Sequence, residues 1–213
     1  MDRLCAGGDD SSANELLTAA FRGYPVENLR RLLHSDEETA VRAGAWILSE
    51  LADRAAPMMA DIVALLGHPL RYVRFFALDA VLGSARATAE DGAAVATAIG
   101  LIDDPDDAVR WKALTFLAWA SVDQLAGSVA HLRPPLRELT QWLVRAGGGV
   151  AIGRDVLAAL DDPDRRARVF AAAATVRLAR LDRGPLERAA ASTDPEVSAF
   201  AREQLESGRL PFG

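Results

Sequence analysis

One eleven-residue pattern recurs along this chain at the spacing of helix pairs, and it limits the possible folds more than any other feature. It reads SDEETAVRAGA from Ser35 to Ala45, GHPLRYVRFFA from Gly67 to Ala77, DDPDDAVRWKA from Asp103 to Ala113 and DDPDRRARVFA from Asp161 to Ala171. A fifth copy, TDPEVSAFA from Thr193 to Ala201, has a loop two residues shorter. Leucine-rich segments precede the copies at 29–33, 62–66, 95–102 and 156–160, with a weaker one at 186–191. Aligned on the valine of the Val-Arg step, the copies fall at Val41, Val73, Val109, Ala167 and Val197, in steps of 32, 36, 58 and 30 residues. The 58-residue step is about twice the others, so a degenerate unit is expected near 121–149, with helices over 122–130 and 135–145.

Alanine, leucine and arginine dominate, and apolar positions recur three and four residues apart almost everywhere, which is the period of a helix rather than a strand. Repeating helix pairs of this length bury their apolar faces only against their neighbours. The expected fold is therefore all-α, a solenoid of five to six helix pairs. It forms a single repeat domain over 13–206, with frayed ends at 1–12 and 207–213.

Composition narrows the function class. The formal charge of −6 is spread in mixed-sign clusters, which opposes a large nucleic-acid footprint. The single cysteine, Cys5, allows no intrachain disulfide and suits a reducing compartment, hence the cytoplasm. The first twelve residues are polar and acidic, unlike a signal peptide, and no run of about eighteen uncharged apolar residues suggests a membrane span.

The succession of a leucine-rich helix, Asp-Pro and Val-Arg-x-x-Ala resembles the HEAT repeat, including its lyase-type HEAT-like form, over 26–206. The resemblance implies that loop aspartates pair with the repeat arginines Arg42, Arg74, Arg110 and Arg168 between neighbouring units. It also implies that the second helix of each pair lines a concave face.

The aspartates around Pro105 look at first like a metal or catalytic site. The spacing fits a helix start better: Asp104 as N-cap, Pro105 at the first helical position, and Asp106 and Asp107 in the first turn facing the positive end of the dipole. Asp162, Pro163 and Asp164 repeat this order, and Asp36, His68 and Asp194 are the other cap candidates. A calcium loop fails for want of the turn glycine and the closing glutamate. GGVAIGRD at 148–155 has phosphate-loop glycine spacing, but Arg154 and Asp155 replace the required Lys and Ser/Thr, so it reads as a flexible connection. His34, His68 and His131 have no partner at ligand spacing, which leaves no zinc site and no catalytic triad. No catalytic residue, metal or cofactor is expected.

What remains is the surface of the second helices. On a helical wheel Val109, Ala113, Phe116 and Ala120 share a core face, with Trp111 nearly opposite and Thr115 and Trp119 one and two turns on. Phe75 and Asp79 hold the equivalent places one repeat earlier. Two readings stay open: these aromatics anchor a partner, or they pack between repeats, and full burial would remove them as anchors. Trp46 and Trp142 read as packing.

The binding reading takes Phe75, Trp111 and Trp119 as anchors, surrounded by Asp79, Thr115, Glu50, Arg71 and Arg74, for a protein partner. Similarity to small bacterial HEAT-repeat proteins that inhibit cognate toxins suggests an immunity-type role against a basic toxin or enzyme. Two alternatives also come from resemblance. Phe75 and Asp79 match the aromatic-to-Asp spacing of HEAT-like alkylpurine DNA glycosylases, although few cations (Arg71, Arg74, Arg110, Lys112) stand near the face to hold phosphates. A lyase or chaperone role on a prosthetic group follows only from the lyase-type repeats.

Overall fold

The computed structural model describes residues 10–86, 88–147 and 153–208. Among these residues every regular element is helical. The α-helices are α1 (Asp10–Phe21), α2 (Arg30–Leu33), α3 (Glu38–Glu50), α4 (Met59–Leu66), α5 (Arg71–Ser84), α6 (Ala89–Gly100) and α7 (Asp107–Trp119). They continue with α8 (Val122–Ser128), α9 (Leu136–Gly147), α10 (Gly153–Ala159), α11 (Arg165–Leu178), α12 (Gly184–Ala190) and α13 (Pro195–Ser207). Short 3-10 turns at Val26–Leu29, Ala52–Met58, Leu101–Asp103 and Val129–His131 join them.

The architecture is an α-solenoid. Five helix pairs, α2/α3, α4/α5, α6/α7, α10/α11 and α12/α13, pack internally, and their second helices stack in one row, α3 to α5 to α7 to α11 to α13. α1 extends that row by packing on α3. The core follows the repeat pattern: Val41, Ala45 and Leu48, then Val73, Ala77 and Ala80, then Val109, Ala113 and Phe116 are all buried. Burying each of the larger side chains contributes about 1.5–3 kcal/mol.

In the 58-residue step, α8 and α9 stand where helices were expected, but they do not enter the row of second helices. α7 packs directly on α11, while α8 lies on α6 and α9 bridges α8 and α11. α8 comes close enough to α6 that a methyl group added to Gly92 would overlap the Gly127 carbonyl oxygen.

The helix starts differ from the sequence reading. The N-cap of α7 is Asp106, whose Oδ1 accepts from the N–H groups of Ala108 (3.0 Å) and Val109 (3.3 Å). Asp104 lies two residues earlier; it is buried and takes the Asp106 N–H at 2.9 Å. Likewise Asp164, not Asp162, caps α11. The longer loops hold two acidic positions, and the first closes the turn while the second caps. Only the shorter last loop keeps the expected order, with Asp194 as N-cap and Pro195 first in the helix. Asp36 and His68 give way to Glu37 and Leu70, neither of which caps with its side chain. His68 instead accepts the Leu70 N–H on Nδ1 at 3.1 Å.

At the ends, α1 begins at Asp10 and α13 runs to Ser207, so 10–12 and 207 are helical rather than frayed. The rest of those expected tails, with Cys5, lies outside the described residues. So does 148–152 of the glycine-rich segment, while Gly153–Ala159 is helix α10 rather than connection.

Candidate functional site

Two arginine clamps set the position of the second helices. From α5, Arg74 donates Nε and a terminal nitrogen to the two oxygens of Asp104, both at 2.8 Å, and its other terminal nitrogen to the carbonyls of His68 and Pro69. Arg71, three residues earlier, reaches Asp106 at 3.4 Å. From α11, Arg168 and Arg165 repeat the arrangement on the loop before α13: Arg168 holds Asp194 at 2.7 Å and the Asp162 and Pro163 carbonyls, and Arg165 grips Glu196 with two nitrogens. The junction between α7 and α11 reverses the polarity. Asp107 stands where the first arginine would be, and Arg110 pairs with it inside α7. Here the acid comes from the earlier unit, Asp103, and the cations Arg165 and Arg166 from the later one, at 3.7 and 2.9 Å.

Burial and the clamps together set the pKa shifts at this edge. Burial pushes Asp194 up, but the Arg168 guanidinium and the Val197 and Glu196 N–H groups together hold it below the usual carboxylate range. Burial, and secondarily Arg74, lower His68.

On the second-helix row, α5 and α7 bring together an aromatic ring and two charges. Lys112 Nζ sits 4.4 Å from the Phe75 ring centroid and 2.9 Å from Asp79 Oδ2, so one ammonium serves both residues of α5. Phe75 also meets Phe76 edge-on at 5.7 Å. One helix further along, Trp111 meets the buried Phe200 of α13 edge-on at 5.6 Å. Thr115 donates its hydroxyl to the Trp111 carbonyl at 3.1 Å. Phe75, Asp79, Trp111, Thr115 and Trp119 are all half-buried, neither enclosed between repeats nor free in solvent.

Of the eight residues expected to form the site, Phe75 and Asp79 share a direct partner, and Trp111, Thr115 and Trp119 line the next helix. Glu50 is exposed at the end of α3. Arg71 and Arg74 belong to the clamp, and Arg71 also stacks on Tyr72 at 4.7 Å. Arg42 is exposed. Trp46 and Trp142 are half-buried against the core.

Lys112, Phe200 and Arg177 were not picked out for these places. Each acts on a helix other than its own, which a single-helix wheel does not show. Arg177 stands ten residues after Ala167, as Trp119 stands ten after Val109, yet it turns inward. It donates to the carbonyls of Leu117, Ala118 and Ala120 at 2.7–3.2 Å, capping the negative end of α7. Burial pulls its pKa down to about 10.

The row is not equally open along its length. Every residue of α11 from Val169 to Leu178 is buried, and Ala171 to Ala174 have no exposed surface. The helix is walled by α7 and α13, which touch through Trp111 and Phe200, and by α9 and α10. The accessible stretch is thus the part carried by α3, α5 and α7. Among the described residues no three His, Cys, Asp or Glu side chains are grouped to hold a metal ion. None of the described helices is long and apolar enough to cross a membrane.

No protein-family model matches the chain, and no curated protein matches it. Among solved structures it is similar to a designed armadillo repeat protein in complex with the peptide (KR)4. The identity is 17%, the likeness covers 97% of this chain and 90% of that one, and the TM-score is 0.51. A computationally designed armadillo repeat protein for modular peptide recognition matches at 18% identity and TM-score 0.46, covering 96% and 88% of the two chains. An engineered protein from a structural genomics consortium matches at 19% and 0.47, covering 89% and all of that chain. The first of these likenesses agrees with the helical-repeat solenoid described above.

Proposed function

We propose that this chain is a HEAT-like module that binds a segment of a protein partner on its second-helix row and performs no chemistry of its own. The observation that carries this reading is the trio of half-buried aromatics, Phe75, Trp111 and Trp119, on the open part of the row. Aromatic side chains held rigid by packing, with one face left to solvent, are what binding hot spots are made from. The solenoid likeness supports it, because the similar designed protein is one in complex with a peptide of alternating lysine and arginine.

The partner is taken to be basic. The chain carries a net charge of −6, and Asp79 on α5 and Glu50 at the end of α3 belong to the accessible stretch. An acidic solenoid attracts a basic partner over long range and speeds encounter. An immunity-type inhibitor of a basic toxin or enzyme is the finer form of this reading. Asp79, the candidate catalytic carboxylate of the glycosylase alternative, is held by Lys112, which suits charge recognition better than base excision.

The test is titration with an octapeptide of alternating lysine and arginine and with an all-glutamate octapeptide, followed by calorimetry and tryptophan fluorescence at low and high salt. The basic peptide should bind, more weakly as salt rises, and Phe75→Ala and Trp119→Ala should each weaken it about ten-fold or more without loss of helical circular dichroism. Equal response to both peptides, or affinity untouched by both substitutions, overturns the reading.

A further inference from the structure

We infer that Phe75 and Asp79 form a receptor for a cationic side chain of the partner, and that Lys112 is its displaceable in-chain occupant. The inference rests on the peptide-binding reading above and names the chemistry of one subsite.

The geometry defines the receptor. Phe75 and Asp79 lie four residues apart on α5, so ring and carboxylate share one face of the helix. A single ammonium, delivered from α7, lies over the ring at 4.4 Å and against the carboxylate at 2.9 and 3.1 Å. A ring face beside an acid is the surrounding that attracts a lysine or arginine head group. The Lys112 position therefore marks where such a head group sits and which two residues it meets.

The occupant is of a kind that leaves easily. Lys112 is the only lysine in the chain; every other side-chain cation among the 24 Lys and Arg is arginine. Where a junction is locked, arginine supplies a planar fork with two nitrogens on one carboxylate, as Arg74 does on Asp104 and Arg165 on Glu196. Lysine instead places a point charge at the end of a flexible stem, with no bidentate geometry to lose. The side chains of Lys112 and Asp79 keep 19% and 32% of their surface exposed, so water and an incoming cation reach the pair. Each contact is weak in such a setting. An occupant of this type scales the apparent affinity for a partner's cation down to the fraction of time it leaves the site free.

The single lysine makes the test direct. Reductive methylation with carbon-13 formaldehyde labels Lys112 and the chain's α-amino group, and the Lys112 methyl signal carries the ring-current shift of Phe75. On titration with the Lys-Arg octapeptide that signal should move toward the position of free dimethyl-lysine as the peptide ammonium or guanidinium replaces it. Lys112→Met, which keeps the apolar stem, should bind the octapeptide about ten-fold more tightly, as expected if the occupant fills the site about nine-tenths of the time. Adding Asp79→Asn to that variant should abolish the gain; Lys112→Gln provides a second competitor-free form should the methionine variant prove unstable.

A stationary Lys112 signal during saturable binding overturns the inference, as does a competitor-free variant that binds no tighter, or a gain that survives Asp79→Asn. Binding that depends on Phe75 and Trp119 while Lys112 stays in place leaves the function standing and removes only this subsite. Absence of binding in every variant removes both.

Discussion

The Arg74–Asp104 clamp gives the sharpest quantitative test of how the repeats are held in register. Their side chains keep only 12% and 3% of their surface exposed, so the pair lies almost wholly out of water. Asp104 receives three hydrogen bonds, two from Arg74 and one from the Asp106 N–H. Arg74→Met retains the bulk of the stem but leaves a buried carboxylate with one donor and two loop carbonyls without their guanidinium. Breaking one partner of a buried pair costs roughly 3–5 kcal/mol, and the low end applies here because Arg74 still borders solvent. A loss of about 3 kcal/mol lowers the melting temperature of a chain this size by about 10 °C. Asp104→Asn alone should also destabilise, and the double variant should be more stable than the sum of the two losses by about 2 kcal/mol, since the penalty of the orphaned partner is counted twice. Thermal unfolding followed by far-UV circular dichroism measures all three, with Arg71→Met as control, because the Arg71–Asp106 pair is half open to water and should leave the midpoint unchanged. A loss below about 1 kcal/mol for Arg74→Met, or strict additivity, would refute a coupled buried clamp.

Two further outcomes follow from local geometry. Gly92→Ala should destabilise by about 1–3 kcal/mol because α6 and α8 must part to admit the methyl group against the Gly127 carbonyl. Gly100→Ala, at a helical position with open space around it, should stabilise by about 0.5 kcal/mol, and the opposite signs in thermal unfolding are the check. The second outcome is an acid limb of stability that depends on Asp194. Its folded pKa is depressed, so its contribution is complete above the unfolded value near about 4 and is lost as pH falls through the lower folded value. Asp194→Asn should flatten the fall of melting temperature below about pH 4, and an unchanged slope there contradicts the assignment.

How far the sequence could be read depends on whether a residue acts within its own repeat. Val109, Ala113 and Phe116 lie on one helix face at spacings of four and three, and that face is the core. The recurring loop and helix pattern made the solenoid legible, and the pairing with next-loop aspartates that the resemblance implies is found for Arg74 and Arg168 but not for Arg110, which pairs with Asp107 of its own helix. The cap assignments slipped by two residues because DDPDD offers several carboxylates of equal chemistry. Only three-dimensional closure of the turn decides that Asp104 faces Arg74 while Asp106 faces the helix amides. Lys112 is legible as one of the few cations near the face, but its pairing with Phe75 and Asp79 is not, because both partners lie more than thirty residues away on α5. Arg177 shares its register with Trp119, and nothing local to α11 says that it turns inward to α7.

The same distinction explains why the open part of the second-helix row lies on one side of α11. In a uniform solenoid each second helix shows the same face, and the half-open character of α5 and α7 would continue through α11. It does not, because 122–147 adds α8 and α9 beside the stack without adding a second helix to the row, so α11 lies against α7 directly. α11 meets that requirement with four consecutive alanines, small enough to let neighbours approach, and with Arg177 placed under the α7 carbonyls. Trp111 then reaches Phe200 of α13 and loses part of its open surface to packing. The surroundings of the aromatics thus differ along the row: toward α13, Trp111 packs one edge on Phe200, while toward α5 the face runs on to Phe75, where a lysine side chain rather than a neighbouring helix lies over the ring. On the proposed reading, a substitution that opens the Trp111–Phe200 contact should lower the melting temperature, whereas one at Phe75 or Lys112 should change peptide affinity and leave the melting temperature nearly unchanged.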